Sequence, residues 1–368
     1  MKKLKDVYRH TYNNCSNRVS GHQQISMKQS LQNLTDATGV DEEADLYGTG
    51  QLIENFEREV ANLLGKESAV FLPSGTMAQP IALRIWSDLQ RTPYVGLHAT
   101  SHLNLHEHNG YQVLYNLKGV NVGLPTKVPN LDDLKNAARD PLAAILLELP
   151  MREIGGQLPR WEDLVTQCQW AQSQNIKMHL DGARLWQCRA TLGKEFAEIA
   201  ALFDSVYVSF YKDVGGISGA ALAGSADFVS RVKVWQRRTG GNLFALYPYV
   251  IAAREGLKTH LPQMSKRLKH ARWLADKFNA LDGFDTWPLV PHTNMFRMRV
   301  HQNSEEFLAK SVEFMQKNNL GIMPTPYDVS EDLCMFEITI GNSFDSLSCL
   351  EWETWLSTFA TYVSPLQR

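Results

Sequence analysis

Several protein classes are excluded by what this sequence lacks. No stretch reaches eighteen consecutive apolar residues, so no membrane-spanning helix is expected. Neither sign of charge is in excess: 37 Lys+Arg stand against 39 Asp+Glu, a formal net charge of −2. Nucleic-acid binding draws on clustered surplus Lys and Arg, and no such footprint exists. Cysteine is scarce, and Cys15, Cys168, Cys188, Cys334 and Cys349 are odd in number, scattered and free of any Cys-x-x-Cys pair. That argues against a disulfide framework or a zinc module and fits a reducing compartment. The opening Met1-Lys2-Lys3-Leu4-Lys5-Asp6 has no apolar core, so no secretory signal is expected and a cytoplasmic location is. No internal repeat, low-complexity tract or charge block is present. What remains is an ordinary globular composition, 44% hydrophobic, 10% aromatic and 21% charged over 368 residues. At about 150 residues per domain that length suggests two or three units, and at this size an enzyme.

The first 45 or so residues are polar and read as an arm with a first helix. Apolar residues at 53, 56, 60, 63 and 64 then mark one face of a helix over Ile53–Leu64, with Gly65 as its C-terminal stop. Short apolar runs follow at Ser68–Leu72, Tyr94–Leu97, Tyr111–Leu117, Ala143–Leu149, Ile176–Leu180, Ser205–Phe210 and Ala220–Ala223. Amphipathic segments such as Trp161–Gln174 separate several of them. Buried strands alternating with helices predict an α/β fold with a largely parallel sheet. From about Tyr249 the texture changes to a long helical stretch, Tyr249–Leu281, then strand-like Asn294–Val300 and Cys334–Ile340 around a helix Ser304–Asn318. These predict an arm over 1–45, a large domain over 46–248 and a smaller α+β domain over 249–368.

Four segments carry chemistry. In Leu72-Pro73-Ser74-Gly75-Thr76-Met77 an apolar run breaks and a helix begins, offering free backbone N–H groups and a positive dipole end to a phosphate. The same residues also suit a plain helix cap. In His179-Leu180-Asp181-Gly182-Ala183-Arg184, Asp181 ends a buried strand at the edge where open α/β sheets place ligands. A carboxylate there needs a cationic partner, either a protonated ring nitrogen of a cofactor or Arg184. His179 shares a face with Asp181 and either orients it or is a satisfied core histidine. In Val206–Gly216, Lys212 follows an apolar strand and precedes glycines; it is either a covalent anchor for a carbonyl cofactor or a lysine whose amine reaches solvent. The fourth segment, His98 to His108, holds four histidines. Their spacing could set two imidazoles on one helix face, but no cysteine or carboxylate set accompanies them, so no metal is expected. One of them could instead stack flat on an aromatic cofactor.

In this order the segments resemble the fold-type-I pyridoxal phosphate enzymes, and more narrowly the threonine aldolase and β-eliminating lyase family. The matching pieces are Asp45-Leu46-Tyr47-Gly48, Val70–Met77, Thr100-Ser101-His102, His179–Trp186, Lys212 with its glycines, and Arg237-Arg238-Thr239-Gly240-Gly241. The resemblance implies an aspartate aminotransferase-like fold, a large mostly parallel sheet domain with a smaller α+β C-terminal domain. It implies that Lys212 bonds the cofactor covalently, Asp181 pairs with its ring nitrogen, His102 stacks on its ring, and Ser74, Gly75 and Thr76 hold its phosphate. It implies further that Arg184 and Ser16 bind the substrate carboxylate, and that the chain forms a homodimer or homotetramer with active sites at subunit interfaces.

Two positions depart from the family pattern. Met151 stands where the family commonly has a histidine near the substrate hydroxyl, and Glu337 where it has a second carboxylate-binding arginine. A methionine takes no proton, and an ionised glutamate would repel a carboxylate. The reading is a lyase that cleaves the Cα–Cβ bond of a β-hydroxy-α-amino acid, with His102, another histidine of its cluster or a held water as base. The alternatives are β-elimination, chemistry on an amine or modified amino acid, or a non-catalytic relative that binds the cofactor.

Overall fold

Among the residues described by the computed structural model, 2–364, seven short segments pair into one sheet. They are Ser68–Leu72 (β1), Tyr94–Leu97 (β2), Lys118–Asn121 (β3), Ala144–Glu148 (β4), Lys177–Gly182 (β5), Ser205–Ser209 (β6) and Ala220–Gly224 (β7). Their order across the sheet is β1-β7-β6-β5-β4-β2-β3. Strand β7 runs antiparallel to both its neighbours, and the other adjacent pairs are parallel. Six strands therefore end along one edge.

The central strands are apolar throughout because helices cover the sheet. On one face, Ala78, Ile81, Ala82, Ile85 and Trp86 of the helix Gly75–Gln90 pack with Phe228, Val229 and Val232 against Val70, Leu146, Tyr207 and Leu222. The helix Gln51–Leu63 buries Leu52, Ile53, Phe56 and Val60 and stops where Gly65 takes φ +59°, a left-handed turn that glycine adopts without strain. The strand expected at Tyr111–Leu117 is corrected: Gly110–Val113 is a helical turn and the strand is the next segment, Lys118–Asn121. An edge strand bonds one neighbour and faces solvent, so it needs no apolar run. Tyr111, Tyr115 and Leu117 are apolar because they fill the core under the helices.

The chain divides into two units. One holds residues 25–153 and 158–263 with this sheet; among the described residues the other holds 2–24, 154–157 and 264–364. The polar opening thus contributes to both, with helices at Lys2–Asn14 and Met27–Ala37. The change of texture read at 249 falls inside the helix Tyr247–His260. The single helix expected over Tyr249–Leu281 is two, because Leu261–Gln263, with Pro262, forms a 3₁₀ turn before Met264–Asn279. Proline lacks the N–H and crowds the preceding turn.

The second unit is built on an antiparallel sheet of Phe284–Trp287 (β8), Met295–Val300 (β9), Pro326–Val329 (β10) and Cys334–Thr339 (β11), ordered β10-β11-β9-β8. Tyr8, Phe278, Phe307, Phe314, Phe336, Trp352 and Phe359 fill its core. Asn17–Arg18 pairs in parallel with Leu320–Gly321, tying the start of the chain into this unit. No helix among the described residues is long and apolar enough to cross a membrane.

Glu337 acquires a different meaning here. Strands β9 and β11 set Arg297 directly opposite it, with Nη2 3.2 Å from Oε2. The guanidinium is fully buried and lies 3.5 Å over the ring centroid of Tyr327. The charge of Glu337, read from sequence as one that would repel a substrate carboxylate, faces the Arg297 guanidinium within its own sheet. Removing one partner of a buried ion pair costs about 3–5 kcal/mol. Glu337→Leu is therefore expected to lower unfolding free energy in urea by about 3 kcal/mol, and Glu337→Gln, which keeps an acceptor, by less. A leucine variant as stable as the wild type would show that the pair contributes nothing.

Candidate functional site

The turns after β1, β2, β4, β5 and β6 all leave the sheet at the carboxyl edge. Ser74 caps the first of the following helices, its Oγ accepting from the Met77 N–H at 3.4 Å. The N–H groups of Gly75 and Thr76 point out of the first turn with no intrahelical acceptor, at the positive end of a sixteen-residue helix. A Cβ on Gly75 would lie 1.9 Å from the Tyr207 hydroxyl oxygen, so glycine alone permits the turn to sit this low on the sheet.

Sheet register builds the floor of the site. Glu148 pairs with Asp181, and Asp181 with Tyr207, so the three form one row on one face. Asp181 is 2% exposed, and its Oδ1 accepts from the Ala183 N–H at 3.1 Å. Among the described residues no cation lies within 4 Å of it. Arg184, the alternative partner read from sequence, is half-buried and forms no ion pair with it. His179 shares the face yet is engaged elsewhere: Nδ1 meets Ser205 Oγ at 2.8 Å and Nε2 meets Gln79 Oε1 at 2.7 Å. Trp86 Nε1 donates to the same Ser205 oxygen. Burial pushes the His179 pKa down to about 3, so it stays neutral. It braces the helix Gly75–Gln90 against the strands beneath Asp181.

Lys212 lies three residues past β6, in a loop that returns to β7. That loop is tied to its neighbours. Ser218 Oγ donates to the Pro73 carbonyl at 2.8 Å, Ser209 Oγ to the Ala183 carbonyl at 2.8 Å, and Trp186 Nε1 to the Ser209 carbonyl at 2.8 Å. The phosphate-type turn, the Asp181 turn and the lysine loop thus hold one another. Burial, and then the Arg184 guanidinium, lower the Lys212 pKa below the usual lysine range, with Asp181 and Glu148 opposing. Among the described residues no carboxylate lies within 4 Å of its amine. This is an amine held toward its nucleophilic form.

Two groups of this site went unread in the sequence. Burial, and then the neighbouring Asp181, raise the Glu148 pKa well above the carboxylate range, while its Oε1 accepts the Arg152 N–H at 3.1 Å. The Tyr207 pKa is likewise raised by burial. Both become visible once strand register is known, and register is not written in a single segment.

The histidine cluster does not converge. His98 bonds Thr100 and the Leu124 carbonyl, whereas His102 Nδ1 lies 2.8 Å from Glu107 and His106 Nε2 3.0 Å from Glu153. Among the described residues no three metal-ligating side chains are grouped. Met151 is buried and lines a small, mostly apolar pocket with His98, Pro129 and Leu147. Ser16 belongs to the other unit, where Asn319 accepts its N–H at 3.0 Å and donates to its hydroxyl at 2.7 Å.

The profile of the β-eliminating lyase family matches residues 32–302. A low-specificity L-threonine aldolase of Arabidopsis thaliana is 26% identical over 322 residues, 83% of this chain and 88% of that one. The low specificity L-threonine aldolase of Escherichia coli K12 is 28% identical, covering 77% and 84%. Among solved structures, a proposed L-allo-threonine aldolase of Listeria monocytogenes EGD-E superposes with TM-score 0.93 at 38% identity, covering 98% of this chain and 99% of that one.

The raised Glu148 carboxyl has a measurable consequence. Between the ordinary carboxylate range and about pH 8 the folded chain holds a proton that the unfolded chain has lost. Stability contributed by this group is therefore full at acid pH and falls as pH rises through that window, by up to about 1.4 kcal/mol per pH unit. Glu148→Gln, which mimics the protonated acid, is expected to flatten that fall in thermal midpoint. An unchanged slope would place the raised proton elsewhere.

Proposed function

The chain belongs to the β-eliminating lyase family, and from that premise we propose that it splits β-hydroxy-α-amino acids at Cα–Cβ into glycine and an aldehyde. It is a pyridoxal phosphate-dependent lyase. When bound, the cofactor supplies a conjugated acceptor for the electron pair left at Cα.

The residues fit this group, and the observation that carries the reading is the Lys212 amine, half-buried on the loop after β6, without a carboxylate within 4 Å and lowered in pKa by burial and the Arg184 charge. That amine is the covalent anchor. The uncompensated Asp181 carboxylate suits a protonated ring nitrogen, and the turn Ser74-Gly75-Thr76 suits the phosphate. His102 covers the ring face. Arg184, half-buried beside this row, offers its fork to the substrate carboxylate. The names of the relatives favour threonine-like substrates with loose choice of side chain.

The same reading makes the chain a homo-oligomer. Leu46, Tyr47, Phe244 and Tyr247 are exposed, and the Tyr47 and Phe244 rings meet edge-on at 5.5 Å. An apolar patch of this kind suits a second copy of the chain. All five cysteines are free and four are buried, in keeping with a cytoplasmic protein.

The purified protein is expected to be yellow, and borohydride followed by peptide mapping is expected to fix the cofactor on Lys212. Asp181→Asn should keep the colour while cleavage of L-threonine or L-allo-threonine falls at least about 100-fold, the equivalent of about 2.7 kcal/mol. A colourless protein that ignores added pyridoxal phosphate refutes the cofactor assignment. Near wild-type turnover by the Asn variant would remove Asp181 from the chemistry.

A further inference from the structure

Cleavage at Cα–Cβ requires that the β-hydroxyl lose its proton, and Met151 cannot take it. Two imidazoles stand on the turn after β2, one of the turns that leave the sheet at the carboxyl edge. His102 Nδ1 is 2.8 Å from Glu107 Oε1, and His106 Nε2 is 3.0 Å from Glu153 Oε1. Arg152 Nη1 lies 2.8 Å from the same Glu153 oxygen, which therefore accepts from two donors. An ionised carboxylate only accepts, so the hydrogen of neutral His106 sits on Nε2 and its lone pair on Nδ1. Among the described residues that Nδ1 has no hydrogen-bond partner, and the side chain is 36% exposed. Glu153 is 9% exposed and leaves the neighbouring strand β4 just past Met151. The turn that carries the methionine thus also delivers a carboxylate that fixes the tautomer of an imidazole on the next turn.

The two rings are 5.0 Å apart and tilted by 49°. An imidazole that lies flat on another ring keeps its one basic lone pair in its own plane, directed along the face it covers rather than away from it. A second imidazole tilted away from that plane directs its lone pair out of it.

We propose that His106 takes the β-hydroxyl proton as the Cα–Cβ bond breaks, with Glu153 as the positioning residue that sets its tautomer. This rests on the aldolase reading above. The O–H proton passes to Nδ1, the O–H bonding pair becomes the second bond of the aldehyde carbonyl, and the Cα–Cβ pair stays with Cα. Cα then takes up one proton and His106 gives one back, so the amino acid yields glycine and aldehyde with no net gain or loss of protons.

Glycine separates the proposal from its premise, because exchange of its Cα proton in D₂O uses the lysine and cofactor but has no hydroxyl to deprotonate. Proton NMR of that exchange, cleavage of L-allo-threonine, and ¹⁵N ring shifts of the histidines are measured on the holoenzyme. His106→Gln is expected to lower kcat for cleavage by about 100-fold or more while glycine exchange stays within about two-fold. Glu153→Gln is expected to lower kcat about tenfold with KM unchanged, and to abolish the Nε2–H preference of His106 that the wild type shows by ¹⁵N shifts. Cleavage by His106→Gln at the wild-type rate overturns the proposal, as does a wild-type His106 protonated on Nδ1 alone. If His106→Gln fails to hold cofactor, the Glu153→Gln kinetics and ¹⁵N shifts decide. A wild type that exchanges glycine but cleaves no β-hydroxy amino acid overturns the aldolase reading, and this proposal with it.

Discussion

Two carboxyl groups and an amine meet at one low-dielectric sheet edge, and the surroundings are arranged around the cost of keeping them there. Burial, and then the Asp181 charge beside it, keeps the proton on Glu148, while Asp181 takes an N–H from Ala183. The row is fixed by register across β4, β5 and β6. Beneath it, neutral His179 joins the helix Gly75–Gln90 to the strands through Gln79 and Ser205. Above it, Ser209, Trp186 and Ser218 bind the loops together. The Lys212 amine is thereby kept in a place that favours its neutral form.

Most of this edge was legible in the sequence because each piece is local. A strand end followed at once by Ser74-Gly75-Thr76, by Asp181-Gly182-Ala183-Arg184, or by Lys212 and glycines can be read from contiguous residues. Pairings across strands cannot. Glu148 beside Asp181, Tyr207 beneath Gly75, and Arg297 opposite Glu337 depend on register, which no single run specifies. The misplaced strand at Tyr111–Leu117 has the opposite cause. Its residues are apolar for packing under helices, whereas the true edge strand, Lys118–Asn121, is largely exposed and carries no such signal.

Both departures from the family pattern sit beside contacts that join segments remote in sequence. Glu337, alone, looks like a misplaced charge; across the ladder Arg297 neutralises it and Tyr327 covers the guanidinium. Met151, alone, looks like a lost acid–base group; two residues on, in the 3₁₀ turn after β4, Glu153 reaches His106. Reading substitutions one position at a time misses such exchanges, since Arg297 lies across the ladder and His106 on the turn after β2.

Strand β1 borders its sheet and pairs with β7, the last of the seven to appear along the chain. During synthesis from the N-terminus, residues 68–72 therefore wait for residues 220–224 before they have a ladder partner. Non-local pairings of this span form late and slowly. By then the whole Lys212 loop has been made, and the Ser218–Pro73 hydrogen bond can close in the same event. The anion-binding turn and the lysine are thus completed together, so a nascent or truncated chain ending before β7 would carry the sequence motifs of the site without the ability to grip a cofactor.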